Sequence, residues 1–221
     1  INEVNIDERG TDLEEFVELK NISGRPVDLG RFRVVGVDGN GGLYRDVDLP
    51  GMMLAPGEHY VICPANGQVP NCDLAIKPTE ELWHGIEPDQ LPAAIALQKR
   101  DPQQQDLDIL VDSLSYGTTV PGGPIAGGSW TEGVAASPAD NLGLINLGLS
   151  RSPDSSDTDN NLKDFKLRCG TPGQANGTLT SGCVRPGRLP DLVVNELDYA
   201  QNGKDSEEFI EIKNRSGAPI A

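Results

Sequence analysis

Residues 2–28 read NEVNIDERGTDLEEFVELKNISGRPVD, and residues 195–221 read NELDYAQNGKDSEEFIEIKNRSGAPIA. The two stretches align without a gap at an offset of 193 residues. An internal match of this length indicates a repeated module. We therefore expect one complete domain over 1–176, a linker over 177–191, and the first hairpin of a truncated second copy over 192–221. The 13 positions of the first copy that are identical in the second are Asn2, Glu3, Gly10, Asp12, Glu14, Glu15, Phe16, Glu18, Lys20, Asn21, Ser23, Gly24 and Pro26.

The composition predicts an all-β fold with long loops. The chain contains 26 Gly and 17 Pro, and helical periodicity is nearly absent, which is typical of short strands joined by irregular connections. Residues 115–148 show no sustained pattern, so we expect a surface excursion or an insertion anchored by Trp130. Alternating hydrophobicity bounded by turn residues predicts strands over 1–6, 14–21, 31–37, 44–49, 59–63, 93–98 and 109–116.

The charge balance excludes two classes of partner. The chain has 34 acidic and 18 basic residues and a net charge of -16. Nucleic acid and anionic membranes are bound by clusters of Lys and Arg, so neither is expected to bind this module. No apolar run approaches the roughly 18 residues of a membrane-spanning helix, so membrane insertion is not expected.

The four cysteines predict disulfides and an extracellular or cell-surface location. Their number is even and no C-x-x-C pair is present, which disfavours a zinc site. Three connectivities are possible for four cysteines. We expect the local one, which joins Cys63 to Cys72 and Cys169 to Cys183.

Five motifs together resemble a known family. They are NEVNIDERGTDLEEFVELKN at 2–21, LAPGEHYVIC at 54–63, VDSLSYG at 111–117, SRSPDSSDTDNNLKDF at 150–165 and CGTPGQAN at 169–176. In this order they resemble the lamin-tail domain of secreted bacterial proteins. The resemblance implies an immunoglobulin-like β-sandwich, and the cysteines and the acidic loop are unlike a nuclear lamin tail. The segment between Tyr116 and Ser150 and the Cys63–Cys72 loop depart from the family pattern.

The resemblance implies a non-catalytic function. We expect an extracellular structural or interaction module that serves adhesion, spacing or targeting within a larger bacterial protein, with a protein, cell-surface or glycan partner. Family members resemble accessory modules carried beside extracellular nucleases or phosphatases, which gives one alternative. A carbohydrate-binding module is the other.

The Asp/Asn loop is a candidate calcium site. D-x-D-x-N at 157–161 places three oxygen-bearing side chains along one loop, and Ca²⁺ takes six to eight oxygen ligands. Leu162 replaces the glycine of an EF-hand loop and Arg168 stands where its last glutamate would be, so this is not an EF-hand. Turn formation by Asx side chains is the alternative. The candidate ligands are Asp154, Asp157, Asp159, Asn161 and Asp164.

Glu3 and Glu18 form a second candidate group. A hairpin of the first two strands would place both on one outward, exposed face, close enough to share a cation. The second copy retains them as Glu196 and Glu211. Ion pairs with Lys20, Arg31 or Arg33 are the alternative. A glycosidase carboxylate pair is disfavoured, because an exposed hairpin face lacks an enclosing cleft.

The remaining candidates are two histidines and three aromatic residues. His59 and His84 fit no metal-binding or catalytic spacing. Trp83, Trp130 and Tyr116 could stack on a sugar or cover the edge of the core. An isolated hairpin is marginal in water, so we expect the hairpin of the second copy to pack on the first module or on the sheet edge of a neighbouring chain.

Overall fold

The structure is a computed structural model that describes residues 1–6, 14–77, 93–100, 108–125, 128–137, 147–180, 183, 192–198 and 209–214. Apart from a 3-10 turn and a helix of four residues, the regular secondary structure of the described residues is β-strand, which confirms the predicted all-β class. It forms two compact units, Ile1–Cys183 and Val184–Ala221. Among the described residues, no helix is long and apolar enough to cross a membrane.

The first unit contains a strand in each of the seven predicted segments. It also contains strands that the alternation pattern missed, including two that flank the Asp/Asn loop. The elements are β1 (Glu3–Asn5), β2 (Phe16–Lys20), β3 (Val27–Asp28), a 3-10 turn (Leu29–Arg31), β4 (Phe32–Val37), β5 (Leu43–Asp48), β6 (Met53–Leu54), β7 (His59–Pro64), β8 (Leu74–Ile76), β9 (Ala93–Lys99), β10 (Ile109–Tyr116), β11 (Pro121–Ile125), β12 (Leu147–Arg151), α1 (Asn161–Asp164) and β13 (Phe165–Cys169).

Two sheets enclose the main core. One has six strands in the order β13-β12-β1-β2-β7-β8, and the other has four in the order β10-β9-β4-β5. The strands pair antiparallel, except that β7 and β8 are parallel. Side chains of both sheets meet in one apolar cluster that includes Val4, Val17, Val34, Ile95 and Leu114. The core therefore lies between the sheets, as alternating strands require.

The register of β1 and β2 places the candidate glutamates. Glu3 lies directly opposite Glu18, and Val4 lies opposite Val17. Because successive side chains point to opposite faces, the valines enter the core while the glutamates lie on the other face of the six-stranded sheet.

A second apolar cluster covers the outer face of the four-stranded sheet. Trp130 is only 6% exposed and packs with Val35, Val37 and Ala94. The backbone N–H of Trp130 donates to the carbonyl of Val120 at 2.7 Å. The long segment after β10 is therefore anchored by Trp130, as predicted.

The two local disulfides are confirmed. Cys63 bonds to Cys72, and Cys169 bonds to Cys183. Two disulfides indicate an oxidising environment. Since the second bond reaches Cys183, the first compact unit extends past the boundary expected at residue 176.

The described residues of the second unit form a hairpin of β14 (Leu192–Asp198) and β15 (Phe209–Asn214). Glu196 lies opposite Glu211 and Leu197 lies opposite Ile210. These pairs are the exact counterparts, 193 residues on, of the pairs in β1 and β2. The prediction that this hairpin packs on the first module or on a neighbour stays a prediction.

Candidate functional site

A short segment after β13 covers the face on which the two glutamates lie. We call residues 170–176 the strap. Gln174 N donates to the carbonyl of Thr171 at 2.9 Å, and Gly173 has a φ of 77°. Thr-Pro-Gly-Gln is thus a type II turn, with proline and glycine at the two positions that favour them. A side chain at Gly173 would also come within 2.6 Å of the Asn71 Cβ, so glycine fits there for two reasons.

The strap binds both glutamates through its backbone. The N–H of Thr171 donates to Oε2 of Glu3 at 2.8 Å, and the N–H of Gly173 donates to Oε2 of Glu18 at 2.7 Å. The Thr171 hydroxyl adds a bond to Glu3 at 3.2 Å. The turn therefore presents two N–H groups to two carboxylates that face each other across β1 and β2.

The sheet supplies the other oxygen of each carboxylate with a donor. Ser150 Oγ donates to Oε1 of Glu3 at 2.5 Å, and Asn2 Nδ2 donates to Oε1 of Glu18 at 2.8 Å. Glu3 and Glu18 are both 0% exposed. The prediction that this face is exposed was wrong, because the strap lies over it.

Asn176 fastens the end of the strap. Its Nδ2 donates to the carbonyls of Asn2 and Arg151, each at 3.0 Å, while its Oδ1 accepts from Asn2 Nδ2 at 3.2 Å. Asn176 thereby joins the strap to both β12 and the residue that precedes β1. The Cys169–Cys183 disulfide closes a loop that contains the whole strap.

Burial dominates the electrostatics of the pair. It raises the pKa of Glu3 to about 7 and the pKa of Glu18 to about 8, and the charge on Glu3 contributes to the rise at Glu18. His59 Nε2 lies 3.9 Å from Glu18 Oε1, but burial lowers the pKa of His59. Near neutral pH both groups favour the uncharged form, so this contact is not an ion pair.

Two of the three alternative ion-pair partners of the glutamates, Lys20 and Arg33, pair with aspartates instead. Lys20 pairs with Asp154. Arg33 pairs with Asp46 and with Asp108, each at 2.6 Å. Asp154 accepts from Asn2 Nδ2 at 3.1 Å and from the Asn176 N–H at 3.3 Å, so it belongs to the strap contacts.

Two further members of the predicted calcium set stabilise loops. Asn161 is fully buried; it accepts from the Ser115 N–H at 3.0 Å and donates to the Ser113 carbonyl at 2.7 Å. Asp164 accepts from the N–H and the hydroxyl of Thr158, each at 2.8 Å. Asp164 therefore holds the turn before α1, whereas Asn161 joins α1 to β10.

Asp157 and Asp159 lie together with a residue that the sequence did not single out. Carboxylate oxygens of Asp157, Asp159 and Glu132 lie within 4.8 Å of one another. Burial raises the pKa of Glu132 to about 7, with contributions from the charges of Asp112 and Asp157. Oxygen ligands of this kind suit a hard cation such as Ca²⁺. Glu132 lies in the unpatterned segment after β10, where no local sequence signal marks it.

Sequence reasoning also missed a buried ion cluster between the sheets. Arg151 is 3% exposed; its Nη2 lies 3.0 Å from Asp112 Oδ1, and its Nε donates to the Ile1 carbonyl at 2.7 Å. The nitrogen of Ile1 lies 2.5 Å from Asp112 Oδ2. Burial opposes ionisation of Asp112, but Ile1 and Arg151 outweigh it and lower its pKa. The guanidinium also stacks 4.6 Å above the Phe165 ring.

The aromatic candidates do not form a described sugar platform. Trp130 and Tyr116 are both buried, and Trp83 and His84 lie outside the described residues. Burial of Trp130 in the cluster on the four-stranded sheet supports its role in covering the core.

Comparison with protein-family models and with curated proteins found no matching family model and no similar protein.

Proposed function

We propose that this protein is a non-catalytic, extracellular β-sandwich module of the immunoglobulin-like, lamin-tail type. It serves adhesion, spacing or targeting in a larger bacterial secreted or surface protein. Two facing sheets around one core and two disulfides support the fold type and the location.

The observation that carries the proposal is the strap. The motifs that resemble the lamin-tail family lie far apart in sequence, yet Glu3, Glu18, Ser150 and Asn176 meet at one place. There they bind each other and the strap. Buried polar residues that form hydrogen bonds with one another stabilise the fold, and their acceptor atoms are then not directed at a substrate.

The same geometry disfavours a catalytic role for the pair of Glu3 and Glu18. A glycosidase needs one carboxylate that reaches the leaving oxygen and another that reaches the sugar or a water molecule. Both glutamates are fully buried, and each carboxylate oxygen already accepts a hydrogen bond. A substrate would have to displace the strap before it could touch either one.

Hydrolysis assays test the proposal. The purified protein is incubated with a phosphomonoester, a phosphodiester and aryl glycosides, with and without Ca²⁺, Mg²⁺, Mn²⁺ or Zn²⁺. We expect no turnover above the buffer rate. Turnover that disappears in Glu3→Gln, Glu18→Gln or Glu132→Gln would establish a catalytic carboxylate and overturn the proposal.

A further inference from the structure

The hairpin of the second unit exposes positions that the first module buries. Ile210 and Ile212 are 64% and 62% exposed. Their counterparts 193 residues earlier, Val17 and Leu19, are 0% and 4% exposed. Both of those side chains belong to the core between the two sheets.

The backbone of the two hairpins matches as well as the sequence. Val4 opposes Val17 in the first hairpin, and Leu197 opposes Ile210 in the second. A shift of one residue would turn every side chain to the other face, so the shared register fixes which face is apolar. The apolar face of the second hairpin therefore corresponds to the face of the first hairpin that meets the four-stranded sheet.

The described side chains on the opposite face of the second hairpin are exposed too. Glu211 is exposed, whereas its counterpart Glu18 is fully buried under the strap. The register again places the two glutamates of the second copy, Glu196 and Glu211, directly opposite each other. The second hairpin therefore carries the same kinds of residue that the first hairpin buries. These are apolar residues on the face that a sheet covers and glutamates on the face that a strap covers.

We propose that Ile210 and Ile212 form a docking surface for a four-stranded sheet of the kind built by β4, β5, β9 and β10. The sheet is supplied by a module remainder like residues 29–183. This occupant follows from the first module, where the same hairpin is covered by the sheet that comes after it in sequence.

A second copy of this chain fits the surface less well. The inner face of its four-stranded sheet is already occupied, because Val34, Ile95 and Leu114 are each 0% exposed in the core of its own first unit. Docking from a second copy would require that core to open first.

The test extends the full chain with its own sequence. Residue 221 corresponds to residue 28, so residues 29–183 are fused directly after Ala221 and the matched control is the same fusion with Ile212→Asp. Hydrogen exchange is followed over 209–214 by mass spectrometry. We expect exchange at least about a hundredfold slower in the fusion than in the unextended chain, since core strands open rarely. The control should lose this protection.

A second variant, in which the second hairpin replaces the first, tests the proposal if the fusion does not fold. Residues 194–221 replace residues 1–28 in the full chain, which brings the second hairpin to the first sheet. We expect cooperative unfolding and both disulfides; a chain without a cooperative transition overturns the proposal. Exchange over 209–214 that is unchanged in a folded fusion overturns it as well. So does protection in the unextended chain that rises with protein concentration, because the occupant would then be a second copy.

Discussion

The effect of Glu18→Gln on stability should depend on pH and should favour the variant more at alkaline pH than in mild acid. Glutamine has the shape of a protonated glutamic acid but cannot ionise. Burial raises the pKa of Glu18 from 4.5 to about 8, so the folded state holds a proton that the unfolded chain has released. The stability that this proton contributes is full below pH 4.5 and is lost as the pH rises through about 8.

The structure sets the size of the effect. One pKa unit corresponds to about 1.4 kcal/mol, so ionising Glu18 in the folded state costs at most about 5 kcal/mol at pH 9. The strap can open locally and let the carboxylate reach water, which limits this cost. The NH2 of glutamine meets an N–H donor at either oxygen position, which costs one hydrogen bond at every pH. Relative to the wild type, we expect the free energy of unfolding of Glu18→Gln to be roughly 2 kcal/mol higher at pH 9 than at pH 5.

Urea denaturation at pH 5, 7 and 9 measures the difference. Neighbouring aspartates with lowered pKa values, such as Asp112 and Asp154, titrate below this range, whereas Glu3, with a pKa of about 7, titrates within it in both proteins. Glu58→Gln is the matched control, since Glu58 is exposed and the substitution removes the same charge. If the effect of Glu18→Gln is the same at pH 5 and pH 9, burial does not hold a proton on Glu18 in this range.

Three further outcomes follow from the structure. Replacing Cys169 and Cys183 by serine frees the strap and should lower the free energy of unfolding by about 3 kcal/mol, the loop entropy of a bond between cysteines 14 residues apart, in urea denaturation without reductant. Asn161→Ala leaves a buried N–H and a buried carbonyl without their partners and should cost about 2–4 kcal/mol in the same assay, whereas a cost below 1 kcal/mol would contradict the contacts. If Glu132 and Asp157 hold calcium with Asp159, millimolar Ca²⁺ should raise the melting temperature above its value in EDTA. The double substitution Glu132→Gln with Asp157→Asn should abolish the rise. Identical melting temperatures of the wild-type protein in Ca²⁺ and in EDTA would mean that this loop binds no calcium.

The fold was predictable where short-range pattern determines it. Alternation in 1–6 and 14–21 identified β1 and β2 and the faces of Val4 and Val17, because a strand repeats every two residues. The spacing of the cysteines gave both disulfides. Strand β12 was missed because SRSPD reads as a turn, although its residues pair with β1.

The site could be predicted only in part, because most of its contacts join residues that lie far apart in the sequence. Glu3 and Glu18 could be paired from the hairpin register, but their burial depends on a strap about 150 residues away in sequence. The strap belongs to the quoted motif CGTPGQAN, but nothing local in that motif shows which sheet it covers. Glu132 joins Asp157 and Asp159 only through the tertiary fold.

The most direct test of the account is the hydrogen exchange of the Thr171 and Gly173 amides in the wild-type protein and in Glu18→Ala at pH 6. If the paired glutamates hold the strap, the variant should lose at least about tenfold of the protection at Gly173, while amides of β4 and β9 stay protected. Unchanged protection of the strap in Glu18→Ala would contradict the account, because the carboxylate would then have been placed for some purpose other than closing the module.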